Sequence, residues 1–344
     1  MKKTVIFKAA IIFAALFLSL NLLFSQNLLL LNTGRDYCYI FSVKEKKVLK
    51  RYKVCEKKAS VTDIVPLKQG FLVIPHRIDL NIDAEELYVY NKDFSKILKK
   101  IPVAKSPYKA FFLGKDRVLV NHTFFSFERL KFVGEIVNLN SLKVEKTLYF
   151  DGIPANVVEL FNKHFAVIED VRGVLKGVRL VCLEDGERID IAEPGLSSNI
   201  VQCNGVLYCA VNGFGQRGFA NSLFAVYPLP MVTVYSSVEK IAEFKKFEFP
   251  FILGSFESFL IIGFTNHSVK GNYNTVCLFN TETKKRFFVK SCFGPESMVK
   301  LKNTVFVAGM SSECLTIVYP FKEKAETIKI SDTIPGFSSI RVVP

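Results

Sequence analysis

Ile334-Pro335-Gly336-Phe337-Ser338-Ser339-Ile340-Arg341-Val342-Val343 is a proline marker followed by one short apolar run. It reads as a first β-strand without the three strands that accompany it elsewhere in the chain. The other end of the sequence lacks what this stretch supplies. Leu28-Leu29-Leu30-Leu31, Tyr37-Cys38-Tyr39-Ile40-Phe41 and residues 48–54 give three strand-like runs with no innermost one. The two fragments add up to one four-stranded unit. The last strand is therefore expected to join the three N-terminal strands and close a ring, which removes the open sheet edges a linear array would keep.

The rest of the chain repeats that unit. Proline precedes a short apolar run at Pro107, Pro154, Pro250, Pro295 and Pro335, with gaps of 47, 96, 45 and 40 residues. The gap of 96 spans two units, and the missing marker falls near Ser197-Ser198-Asn199. A period of forty-odd residues is that of one four-stranded propeller blade. The seventh repeat reads as strands over 298–301, 304–308, 314–319 and 327–330, and the second over 62–65, 71–74, 87–90 and 96–99. Residues 237–246 could form one helical turn or two, but they read better as part of a long connection and the fourth strand of repeat five. The expectation is an all-β fold: a seven-bladed β-propeller of four-stranded antiparallel blades, the first blade closed by the C-terminal strand.

Gly294-Pro295-Glu296-Ser297-Met298-Val299, Val305-Phe306-Val307-Ala308-Gly309 and Leu315-Thr316-Ile317-Val318 carry a further likeness. Their rhythm resembles the YVTN-type bacterial seven-bladed β-propeller superfamily of secreted and surface-layer repeat proteins. The resemblance covers residues 28–344 as a pattern; the tripeptide that names the family does not occur intact. It implies architecture and an envelope location, and it brings no shared catalytic residue.

Composition agrees with strands: 49% of residues are hydrophobic, with 33 Phe, 12 Tyr and no Trp. The formal net charge is +14. Much of it is lysine in short runs such as Lys57-Lys58 and Lys99-Lys100, which suit solvated turns and edge strands. No nucleic-acid-binding motif accompanies the charge, so no specific nucleic acid is expected. Lys2 and Lys3 precede an almost wholly apolar run over residues 9–24, short for a spanning helix and right for a secretory signal. Residues 1–25 are read as a signal peptide, with an uncleaved N-terminal anchor as the alternative, and 26–344 as a single propeller domain. Export to the periplasm, cell surface or medium follows, with no transmembrane segment in the mature protein and a charge lowered to +11 by loss of Lys2, Lys3 and Lys8.

Eight cysteines would permit disulfides in an exported chain. Cys38, Cys182, Cys277 and Cys314 instead sit inside apolar runs, as small buried hydrophobes do. Asn204-Gly205 reads as a hairpin turn that sets Cys203 against Val206 and Cys209 against Ile200, so those two thiols are not opposed. Mostly free thiols are expected, with one or two bridges left open. No Cys-x-x-Cys pair suggests structural zinc.

A propeller gathers the loops between its second and third strands around one mouth of its channel. The candidate ligand-binding residues lie there: His76 and Arg77, His122 and Glu128, Glu169, Asp170 and Arg172, Phe214, Gln216 and Arg217, His267 and Lys270. Arg provides paired donors for carboxylate or phosphate and the aromatics provide stacking area. His76, His122 and His267 are alternative metal ligands, with Glu169 or Asp170 beside them. Their repeats are not all adjacent, and the simpler reading has these histidines capping strand ends by bonding to backbone. No metal and no cofactor are expected. Gly213-Phe214-Gly215-Gln216-Arg217-Gly218 fits Gly-x-Gly-x-x-Gly, but a strand rather than a helix follows it, so the match is a weak one for a dinucleotide site. No nucleophile–base set is legible. The expected function is an exported, non-catalytic propeller binding a protein or a glycan through its loop face. The alternative is a hydrolase or lyase acting on an anionic polymer through a His–carboxylate site.

Overall fold

In the computed structural model, the structure describes residues 28–54, 60–79, 82–126, 129–169, 178–191, 200–211, 222–227, 237–244, 250–264, 274–309, 313–330 and 336–343. The chain forms seven antiparallel four-stranded sheets, the second extended by a short extra strand. Blade 1 consists of Ser339–Val343, Leu28–Asn32, Tyr37–Ser42 and Lys47–Lys53, counted outward from the channel. The closing pair is antiparallel, Leu28 opposite Val343 and Asn32 opposite Ser339. The ring expected from the two incomplete ends therefore closes as read.

Blades 2 to 7 begin with Ser60–Leu67, Pro107–Phe112, Ile153–Leu160, Ile200–Cys203, Pro250–Phe256 and Pro295–Leu301. Pro107, Pro250 and Pro295 are the first residues of their strands, where the missing N–H costs no ladder bond. Ser237–Glu243 is the fourth strand of blade 5, as expected. The hairpin at Asn204-Gly205 pairs Ile200 with Cys209 and Cys203 with Val206, again as read. None of the seven described cysteines is in a disulfide; Cys55 lies outside the described residues.

The core is not a single mass. Its seven clusters of buried side chains each join one blade to the next. Leu29, Phe41, Phe306 and Phe337 join blade 7 to blade 1; Val65, Leu72, Ala110 and Val137 join blade 2 to blade 3. Phe165, Leu180, Ile200 and Leu207 join blade 4 to blade 5. Strand alternation explains this arrangement: each buried sheet has two faces, and each face packs on a neighbouring blade. The outermost strands stay half in water and carry the cations. Lys47–Lys53, Lys143–Phe150 and Lys324–Lys329 alternate exposed lysines with partly buried residues. Lysine on such an edge discourages pairing with another sheet.

Candidate functional site

A bulge recurs near the start of the channel-lining strands. Thr62 in blade 2, Tyr108 in blade 3, Ala155 in blade 4 and Glu296 in blade 7 are the extra residues against an unbroken second strand. Such a bulge re-aims the residue that follows it. In blades 2, 3, 4 and 7 the following residue is Asp63, Lys109, Asn156 or Ser297, so a polar side chain recurs at one level of the channel wall.

These side chains form a buried polar network. Asp63 is fully buried. Arg341, on the closing strand, donates from Nη2 to Asp63 Oδ2 at 2.5 Å and to the Ala110 carbonyl at 3.0 Å. The Ala110 amide donates to Asp63 Oδ2 at 3.2 Å and the Ile64 amide to Oδ1 at 2.9 Å. Burial alone would push the Asp63 carboxyl up, but Arg341, Lys109 and the Ala110 amide together hold it below the usual carboxylate range. Asp63 thus ties blades 1, 2 and 3 at one point.

Lys109, like Arg341, lines an open cavity beside this group. Burial lowers the pKa of its amine; Asp63 and Glu296 act on it electrostatically in the opposite sense and Arg341 in the same sense. The cavity it lines has a volume of about 510 Å³ and is walled by the first strands of blades 3, 4, 6, 7 and 1, with Val201 from blade 5. Asn121, Thr123, Asn156, Glu296 and Ser297 add polar groups to that wall. Asn121 is fixed from both ends: its Oδ1 accepts from the Lys109 amide and its Nδ2 donates to the Pro154 carbonyl, each at 2.7 Å.

The sequence-predicted residues fall differently. Glu128, Asp170, Arg172, Phe214, Gln216, Arg217, His267 and Lys270 lie outside the described residues, and Glu169 is described as the end of the strand Lys163–Glu169 without its side chain. His76 and His122 are not in loops. The second strands run on to Asp79 and Ser126, because 82–83 pairs back onto 77–79 and 131–132 onto 125–126. His122 is fully buried; its Nδ1 lies 3.1 Å from the Lys105 carbonyl and its Nε2 3.1 Å from Glu135 Oε2. Glu135 Oε2 accepts from the Ala104 amide at 2.9 Å. This pair clamps the segment entering blade 3. His76, in the neighbouring blade, meets Tyr108 edge-on with ring centroids 5.6 Å apart, and burial lowers its pKa. Arg77 is exposed, with Nε 3.8 Å from Asp83. Among the described residues no three His, Cys, Asp or Glu side chains come together as metal ligands.

Sequence reasoning passed over Asp63, Lys109, Glu296 and Arg341. A signal was available: Asp63, Lys109 and Arg341 are each the one charge in an otherwise uncharged first strand, and Asp63 and Lys109 share the same position after the bulge.

No protein-family model and no curated protein matches the chain. Solved structures are similar in shape. A computationally designed protein, Ika8, is 7% identical with a TM-score of 0.56, over 90% of this chain and 86% of that one. Hydrazine synthase from Kuenenia stuttgartiensis is 12% identical with a TM-score of 0.57, over 86% and 90%. AztD from Citrobacter koseri is 10% identical with a TM-score of 0.51, over 89% and 82%. An enzyme, a designed chain and AztD share this outline, so these likenesses support the β-propeller and nothing finer.

Proposed function

We propose that the protein is an exported, non-catalytic binding propeller that takes an anionic group of a protein or glycan partner into its channel. The observation that carries this reading is Lys109: an amine on the wall of a cavity of about 510 Å³ lined by both polar and apolar side chains, while its neighbour Arg341 is already committed to Asp63. A partly desolvated amine gains more from an incoming carboxylate than a surface lysine does. The hydrolase alternative draws no support from His122 and Glu135, since a reacting pair must reach substrate and His122 has no exposed surface.

Thermal unfolding of the full chain with oligogalacturonate or a poly-glutamate peptide tests the reading. A ligand held only by the folded state, at a hundredfold over its dissociation constant, adds about 2.7 kcal/mol. Lys109→Met is expected to remove that increment while leaving the unliganded midpoint unchanged or raised. An increment that survives Lys109→Met sinks the channel assignment.

A further inference from the structure

A second cavity, of about 450 Å³, opens between blades 1 and 2. It lies at the end of the ring where the Leu67–Gly70 turn sits, opposite the loops discussed above. One wall takes a residue from every strand of blade 1: Val343, Leu28, Ile40, and Leu49 with Tyr52. Leu67 and Phe71 of blade 2 face them. Strands spaced about 4.8 Å apart make this a slot roughly 14 Å long. Lys50, Lys68 and Lys92 line it from both blades, and no carboxylate does. All three lysines are exposed, and so is Leu49.

We infer that this slot binds a free fatty acid, its hydrocarbon tail along the blade 1 wall and its carboxylate among the three lysines. Charge complementarity sets the head group: three cations surround apolar surface with no acid to neutralise them. The walls set the tail. Apart from the lysines and the Tyr52 hydroxyl, the lining side chains offer no hydrogen-bonding group. An extended peptide laid there would press its amides against hydrocarbon, whereas an alkyl chain loses nothing.

Titration calorimetry of the full chain with dodecanoate below its micelle threshold, and with dodecyltrimethylammonium as the cationic match, decides the matter. Dodecanoate is expected to bind one to one, at least tenfold tighter than the cationic probe. Leu49→Asp should weaken dodecanoate tenfold or more. The triple change Lys50→Ala, Lys68→Ala, Lys92→Ala should erase the preference between the probes. Lys109→Met should leave dodecanoate binding unchanged, which separates this slot from the channel. Absence of dodecanoate binding, equal affinity for the two probes, an unaffected Leu49→Asp, or loss of binding in Lys109→Met each overturns the inference. Melting curves of the variants show that they remain folded.

Discussion

Asp63 shows how much one side chain can hold in this molecule. Its carboxylate has no exposed surface and serves Arg341 from blade 1, its own strand and the Ala110 amide of blade 3. Asp63→Asn keeps the shape and removes the charge, leaving Arg341 without its counter-ion. A loss of about 3 kcal/mol is expected at neutral pH, measured by denaturant unfolding. The pH dependence has a definite sign. The folded-state carboxyl titrates below its unfolded value, so its contribution is complete above about pH 4 and fades as pH falls below that. The unfolding midpoint of the wild-type chain should drop on acidification below pH 4, and Asp63→Asn should show a flatter acid limb. Equal acid limbs would mean that Asp63 titrates normally. Asp63 stood out in Val61-Thr62-Asp63-Ile64-Val65 only as a charge within a strand, and nothing nearby in the sequence said what it pairs with. Its partner stands 278 residues away.

Polar side chains at the inner ends of the strands link successive blades. Asn32 Nδ2 donates to the Val61 carbonyl at 3.0 Å, joining blade 1 to blade 2. Asn121 joins blade 3 to blade 4, and Asn156 Nδ2 donates to the Ile200 carbonyl at 2.7 Å, joining blade 4 to blade 5. Ser255 Oγ donates to the Gln202 carbonyl at 2.8 Å, tying blade 6 back to blade 5. Each tie gives a first-strand carbonyl a partner from a neighbouring blade. Asn121→Ala should cost about 1–3 kcal/mol, because it orphans the Lys109 amide and the Pro154 carbonyl together; a change below half that in a denaturant series would show that water replaces the side chain. The strands themselves were legible, since Phe71-Leu72-Val73-Ile74 and Val305-Phe306-Val307-Ala308 are unmistakable apolar runs between turn residues. The ends of the strands were not. Pro75-His76-Arg77-Ile78-Asp79 reads as a loop by composition, yet pairing with residues 82–83 keeps it extended. Backbone pairing, which a side-chain pattern does not report, made that difference.

At the scale of the whole molecule the seven blade junctions carry the stability, and no disulfide among the described residues supplements them. Dithiothreitol is therefore expected to leave the melting temperature unchanged, and a fall of several degrees would reveal a bridge. Six of the seven described thiols are buried and Cys314 is partly exposed. Burial pushes the Cys182 thiol up to about 11 and the Cys314 thiol upward as well. Ellman's reagent should thus modify Cys314 first and slowly, with the other described thiols reacting on unfolding. The closing strand has a consequence in time as well as in space. Asn32 and Ser338 stand 306 positions apart in the sequence and touch, so blade 1 cannot be completed until Ser339–Val343 has been synthesised. Until then its three early strands offer an open edge, and blade 2 packs against a half-built neighbour. Ser339–Val343 acts as a latch on the blades made before it.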